Sequence, residues 1–149
     1  MGTELVLELP NDIRSISRAV DYVMEQCSAC GEHARKLDLN FRVGLTEALT
    51  NAMLYGNEED PAKRVLVEVI VAGREITARI TDEGEGFNPD EIPDPTTPAN
   101  LVKPCGRGIF LMRSLMDEVN FNEQGNSVTL VLRLEPGVSP GDVADGSPA

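Results

Sequence analysis

The chain has 149 residues, enough for one domain with a real hydrophobic core and too few for a second catalytic domain beside it. Against 13 Lys and Arg stand 25 Asp and Glu, a formal net charge of -12, which argues against a nucleic-acid surface because phosphate binding needs clustered cations to displace counterions. No apolar run is long enough to span a bilayer, and the opening Met1-Gly-Thr-Glu-Leu-Val6 lacks the basic and apolar regions of a secretion signal, so a cytoplasmic protein without membrane contact is expected.

Leu5, Leu7 and Leu9 alternate with Val6 and Glu8 up to Pro10, the pattern of a short strand. A helix follows, capped by Asn11 or Asp12, with Ile13, Ile16, Val20, Val23 and Cys27 recurring at three- and four-residue steps along one stripe. Gly31 interrupts that pattern, and the helix either pauses there or runs on through Arg35. Cys27 and Cys30 form C-x-x-C and could outline a four-ligand zinc set with His33 and Cys105. Only one chelating pair has suitable spacing, so reduced, partly buried thiols and an ordinary surface histidine are the preferred reading.

A second helix is expected to start near Asn40 as its cap, with Phe41, Leu45, Leu49, Ala52 and Met53 facing the core. Glu47, Asn51 and Tyr55 lie on a different face, so this polar pair is not needed for packing. Gly56-Asn57 ends the helix, and Glu58-Glu59-Asp60-Pro61 makes an acidic turn. Residues 65–72 and 75–82 read as an antiparallel hairpin joined through Gly73-Arg74. Ile76, Ala78, Ile80 and Asp82 share one parity, which carries the Asp82 carboxylate inward beside Gly84 and Gly86, where it must find a donor.

Residues 87–103, rich in Asp, Pro and Thr, have little periodicity and read as a long loop suited to a lid over a ligand. Ile109, Met112, Leu115 and Met116 return to helical spacing, with Gly106-Arg107-Gly108 at the helix N-terminus. Strands over 118–122 and 127–134 follow, turned by Glu123-Gln-Gly-Asn126, and residues 136–149 have the composition of a disordered tail. The order is β, α, α, β, β, loop, α, β, β, without internal repeats. Fold class is therefore α+β: residues 1–135 form a two-layer α/β sandwich whose mixed, mostly antiparallel sheet is covered on one face by helices.

Three segments carry chemistry: Glu47-Ala48-Leu49-Thr50-Asn51-Ala52, Asp82-Glu83-Gly84-Glu85-Gly86-Phe87 and Gly106-Arg107-Gly108-Ile109. Their order and spacing resemble the N box and the two glycine boxes of Bergerat-type ATPases, the superfamily of gyrase, sensor histidine kinases and bacterial anti-sigma-factor serine kinases. The resemblance runs from about Glu4 to Leu134 and is strongest toward the anti-sigma-factor kinases, whose small stand-alone form the run from Lys103 to Val119 also resembles.

The resemblance implies the Bergerat ATP-binding fold, ATP and Mg²⁺ as cofactors, and phosphoryl transfer to a protein serine or threonine. By match to the boxes, Glu47 is the general base for a hydroxyl nucleophile and Asn51 the oxygen ligand for Mg²⁺. Asp82 accepts a hydrogen bond from the adenine amino group, with Gly84 and Gly86 letting the backbone approach the base. Amides of Gly106, Arg107 and Gly108 at a helix N-terminus face the phosphates, and the Arg107 guanidinium reaches the terminal one. One departure is Tyr55, where many relatives carry His before the glycine that ends this helix; a phenol still hydrogen-bonds but is neutral and larger.

The family further implies a homodimer that binds a sigma factor and phosphorylates a small antagonist protein, without nucleic-acid contact. Two other readings stay open: a catalytically silent, nucleotide-gated binding module, and a detached histidine-kinase ATPase domain. Retention of Glu47 and Asn51 speaks against the first, and the short chain with its Gly106-Arg107-Gly108 context against the second.

Overall fold

In a computed structural model describing residues 3–27, 37–84 and 104–134 (backbone alone at 3, 37, 38 and 104–107), three helices lie against one face of a five-stranded sheet. The strands are β1 (Thr3–Pro10), β2 (Arg64–Ala72), β3 (Glu75–Thr81), β4 (Glu118–Phe121) and β5 (Ser127–Arg133), in spatial order β1-β2-β3-β5-β4. All four pairings are antiparallel, so the mixed sheet expected from sequence is, among the described strands, wholly antiparallel. With β5 between them, β3 and β4 run in the same direction, and such strands need a crossover connection. It contains α3 (Pro104–Leu115).

Alternation built this sheet. Leu5, Leu7 and Leu9 turn toward the helices while Glu4, Val6 and Glu8 are exposed. Register then lines up one apolar face, with Val67 opposite Ile80, Val69 opposite Ala78, and Ile80 and Ala78 opposite Val128 and Leu130. The β2–β3 hairpin turns where expected, at Gly73, whose φ of 61° suits glycine.

The helix α1 (Ile16–Gln26) buries Ile16, Val20 and Val23 as its periodicity predicts, and Cys27 beyond it is a core residue at 1% exposed. Ile13 departs from the expected stripe. It belongs to a short 3-10 turn, Ile13–Ser15, whose tighter winding takes it off the helix's buried face, leaving it 52% exposed. Asp12 is the cap, accepting the Arg14 backbone N–H at 2.9 Å, whereas Asn11 donates to the Asp60 carbonyl. Cys30, His33 and the Cys105 side chain lie outside the described residues. Among the described residues no three metal-binding side chains cluster.

On α2 (Arg42–Asn51) and the wide, π-type turn that continues it (Ala52–Gly56), the stripe of Phe41, Leu45, Leu49, Ala52 and Met53 is buried throughout. Asn40 is not the cap. The helical path is already under way in a wide turn over Leu37–Phe41, and the Asn40 amide instead donates to the Leu115 carbonyl at 2.8 Å, satisfying the end of α3. These two helices cross closely: a Cβ on Gly44 would stand 2.9 Å from the Met116 sulfur. The third helix begins at Pro104, so Gly106-Arg107-Gly108 lie within its opening turns rather than ahead of them. Ile109, Met112 and Met116 are buried. The loop expected over 87–103 and the tail over 136–149 fall outside the described residues.

Candidate functional site

The wide turn at the end of α2 shapes one wall of a pocket. There the Asn57 N–H donates to the Ala52 carbonyl at 2.7 Å and the Glu59 N–H to the Met53 carbonyl at 2.9 Å, after which the chain reverses through Glu58 and Glu59 at φ 52° and 61°. Gly56 is therefore not the left-handed helix terminator that Gly56-Asn57 suggests. It is small for another reason: a methyl group on it would overlap the Asp82 carboxylate, and one on Gly84 would overlap the Gly56 carbonyl. The two glycines pack against each other with Asp82 between them.

Asp82 follows the inward parity of β3, as expected, and finds its donor in the Gly84 N–H at 2.7 Å. Its own N–H is held by the Asn126 carbonyl at 2.9 Å. Burial pushes the Asp82 carboxyl above the usual aspartate range, outweighing the Gly84 hydrogen bond and the more distant Lys63, both of which pull it down. The carboxylate thus sits in surroundings that want a further donor.

A pocket opens beside it between α2 and the sheet. Ala48, Ala52, Ile80, Met112 and Val128 supply apolar wall, while Asn51, Asp82 and the Asn126–Ser127 segment supply polar atoms. Small residues on α2 leave a flat slot there, and a planar apolar ring with a polar edge is the shape it fits. Tyr55, 41% exposed, also borders the pocket.

Glu47 and Asn51, one helical turn apart on α2, converge on Gly108 of α3. A Cβ on Gly108 would lie 2.9 Å from Glu47 Oε1 and 3.2 Å from both polar atoms of the Asn51 amide. Asn51 Nδ2 is buried with no hydrogen-bond partner, the one such side-chain atom among the described residues. A buried amide atom left unspent is where a ligand belongs. By turning over, that amide can present its oxygen there instead, so Asn51 beside the Glu47 carboxylate fits a hard cation. Among the described residues no three carboxylate, Cys or His side chains cluster, so a cation held by this pair would take further ligands from water and a bound anion.

Of the residues singled out from sequence, the fold brings Glu47, Asn51 and Gly108 together at the crossing of the two helices, and Asp82 with Gly84 at the end of β3. Gly106 and Arg107 are in the opening turn of α3, with the Arg107 side chain outside the described residues, as Gly86 is entirely. The sequence reading missed Gly56, Asn57, Asn126 and Ser127. Ser127 lies opposite Thr81 in the β3–β5 register, their hydroxyls 2.9 Å apart, and only knowledge of that strand pairing would have pointed to it.

A family model described as a histidine kinase-like ATPase domain matches residues 8–132. Similar proteins include an anti-sigma F factor of Anoxybacillus flavithermus, 38% identical over 90 residues that make up 58% of this chain and 61% of that protein. Another is an anti-sigma F factor of Bacillus cytotoxicus, 40% identical over 78 residues, 50% of this chain and 53% of that protein. The serine-protein kinase RsbW of Oceanobacillus iheyensis is 29% identical over 91 residues, 57% and 58% of the two chains. The match to each of these three therefore spans less than two thirds of the relative's length. The resemblance to anti-sigma-factor kinases read from the three segments agrees with these relatives.

Proposed function

This chain belongs to the histidine kinase-like ATPase domain family, and from that premise we propose that it is an ATP-dependent protein serine/threonine kinase of the anti-sigma-factor type. The observation that carries the reading is the convergence of Glu47 and the unspent Asn51 amide on Gly108, beside an apolar slot holding the half-buried Asp82.

Bound Mg²⁺-ATP would supply the transferable phosphoryl group together with the screening of its charge. Asn51 would hold the metal through its carboxamide oxygen. Asp82 would accept a hydrogen bond from the exocyclic amine of adenine, and the apolar wall of Ala48, Ala52, Ile80 and Val128 would receive the ring. Glu47 would take the proton from the serine hydroxyl as that oxygen bonds to the γ-phosphorus and the bond to ADP breaks, ADP being the leaving group, a role that suits a carboxylate one helical turn from Asn51. The lack of a side chain at Gly108 leaves room for the phosphates beside this pair, and Arg107 is assigned the terminal phosphate on the resemblance alone. The kinase domain is taken to span residues 1–135 and to act as a homodimer in the cytoplasm. By likeness to the anti-sigma F factors and the serine-protein kinase, its partners would be a sigma factor and a protein phosphorylated on serine; that the latter is a small antagonist protein rests on the resemblance of the three sequence segments alone.

The test is transfer from γ-labelled ATP with Mg²⁺ into a lysate of the native host, wild type against Glu47→Ala. One acid-stable labelled small protein, absent with the variant, is the expected result. Acid-labile label would point to histidine transfer. ATP binding without any labelled product would leave a nucleotide-gated binding module. Glu47→Ala should keep nucleotide affinity near wild type.

A further inference from the structure

Asn57 is the buried polar residue that this mechanism does not use. It is 0% exposed, the one polar residue in the core among the described residues. Its amide is fully engaged: Oδ1 accepts the Glu83 N–H at 2.8 Å, while Nδ2 donates to the Arg64 carbonyl at 3.0 Å and to Asn11 Oδ1 at 3.3 Å. Its backbone N–H is anchored on the Ala52 carbonyl. One side chain thus ties the end of β1, the start of β2 and the turn after β3 to the end of α2. Glu83 closes the loop by accepting the Arg64 N–H on its carboxylate at 2.6 Å.

Glu83 stands between Asp82 and Gly84, so the amide held by Asn57 is in the turn that aims the Asp82 carboxylate. Gly84 donates only to Asp82 itself, a bond that moves with the turn. The Asp82 N–H to Asn126 fixes the strand end but not the peptide that follows. Asn57 is the link from that peptide to α2, on which Asn51 and the alanine wall of the pocket also sit.

We propose that Asn57 is a positioning residue for the nucleotide site: by holding the Glu83 amide it fixes the turn that points Asp82 into the pocket, and thereby sets the preference for a base carrying an exocyclic amine. The proposal rests on the nucleotide site proposed above. Asn57 acts through Asp82 and does not touch the ligand. The two halves of its amide have separable duties. Asn57→Asp keeps an oxygen for the Glu83 N–H and loses the donor to Arg64, whereas Asn57→Leu, of similar volume, loses both.

The experiment measures metal-free binding of ATP and of purine riboside triphosphate, which lacks the 6-amino group, to the full chain by calorimetry, alongside the melting temperature. The unmodified protein should prefer ATP by about tenfold or more, the worth of one well-placed hydrogen bond to a charged acceptor. In Asn57→Leu that preference should fall to within about twofold, through weaker ATP binding, because a displaced acceptor no longer distinguishes the two bases. Asn57→Asp should retain most of the preference although both variants melt lower, each leaving the Arg64 carbonyl without its side-chain donor. A purely structural role would weaken both nucleotides together and leave the ratio alone, so an undiminished ratio in Asn57→Leu overturns the proposal. Should neither variant fold, amide exchange in the unmodified protein decides: Glu83 N–H must exchange at least about tenfold more slowly than an unbonded amide, and free exchange overturns it. Failure of the unmodified protein to distinguish the nucleotides would sink the site itself, and is recognised by appearing before Asn57 is touched.

Discussion

Two residues of the proposed site stand where they cost stability. Asp82 has its carboxyl pKa raised by burial, so the folded state holds the proton more tightly than the unfolded chain does. Such an acid favours folding only while protonated. As pH rises from the ordinary aspartate range through the raised folded value, stability is lost, and at neutral pH the ionised group opposes folding. Asp82→Asn keeps an oxygen for the Gly84 N–H and removes the charge. It should therefore melt higher than the parent at pH 7, with the gap narrowing toward pH 4, while binding adenine nucleotides about tenfold more weakly or worse. A variant that melts lower at pH 7 would mean the carboxylate is stabilised by something else. Gly108 poses the complementary case, since glycine inside a helix is worth roughly 1 kcal/mol less than alanine. Gly108→Ala should leave the melting temperature level or higher, because the atoms it meets are flexible side-chain ends. It should lower phosphotransfer by at least about tenfold by displacing Glu47 and Asn51. Full activity in this variant would show that the pair need not sit where it does.

At the level of elements, what the sequence disclosed and what it hid divide by distance along the chain. The strand β1, the β2–β3 hairpin and the stripe from Phe41 to Met53 are written in alternation or helical period, and all three formed as read. Asp82 was legible for the same reason, being the next inward position after Ile80. Asn40 misled because its local signal is that of a cap, yet its amide serves a carbonyl 75 residues away on α3. Nothing in the local sequence encodes that partner. Pro104 was a usable signal for the true start of α3, since proline suits a first helical turn, whereas Gly106 and Gly108 point to a later start. Asn57 was hidden more deeply, because Gly-Asn after a helix reads as a terminator, and its partners Asn11, Arg64 and Glu83 come from three other segments. The Asn40 contact has a measurable weight. Asn40→Ala should cost about 1 kcal/mol in urea unfolding by removing the amide that satisfies the end of α3. A variant as stable as the parent would mean that water serves the Leu115 carbonyl equally well.

Across the whole molecule, the helices cover one face of the sheet, and the other, among the described residues, carries Val6 and Ile70 amid ion pairs such as Arg79 with Glu68 at 2.9 Å. Exposed pairs of that kind add little, so stability rests on the single inner layer of Phe41, Leu45, Leu49, Ile76, Ile80, Leu130 and Leu132. The pocket opens into the same layer: its wall is drawn from α2 at Ala48, from the wide turn that continues it at Ala52, from β3 at Ile80, from α3 at Met112 and from β5 at Val128. A ligand seated there touches both layers at once, and its binding free energy should resist global unfolding rather than order one loop. At a hundred times its dissociation constant, a nucleotide bound only to the folded state adds about 2.7 kcal/mol, a rise of several degrees in melting temperature for a chain of this size. Circular dichroism is the suitable monitor, since the chain has no tryptophan. Adenine nucleotide without metal should already raise the melting temperature, through the apolar wall and Asp82, and Mg²⁺ should add a further increment through Asn51. In Asn51→Ala the first rise should persist and the magnesium increment vanish. Equal loss of both would remove the metal role from Asn51 and make its buried amide part of the base pocket instead.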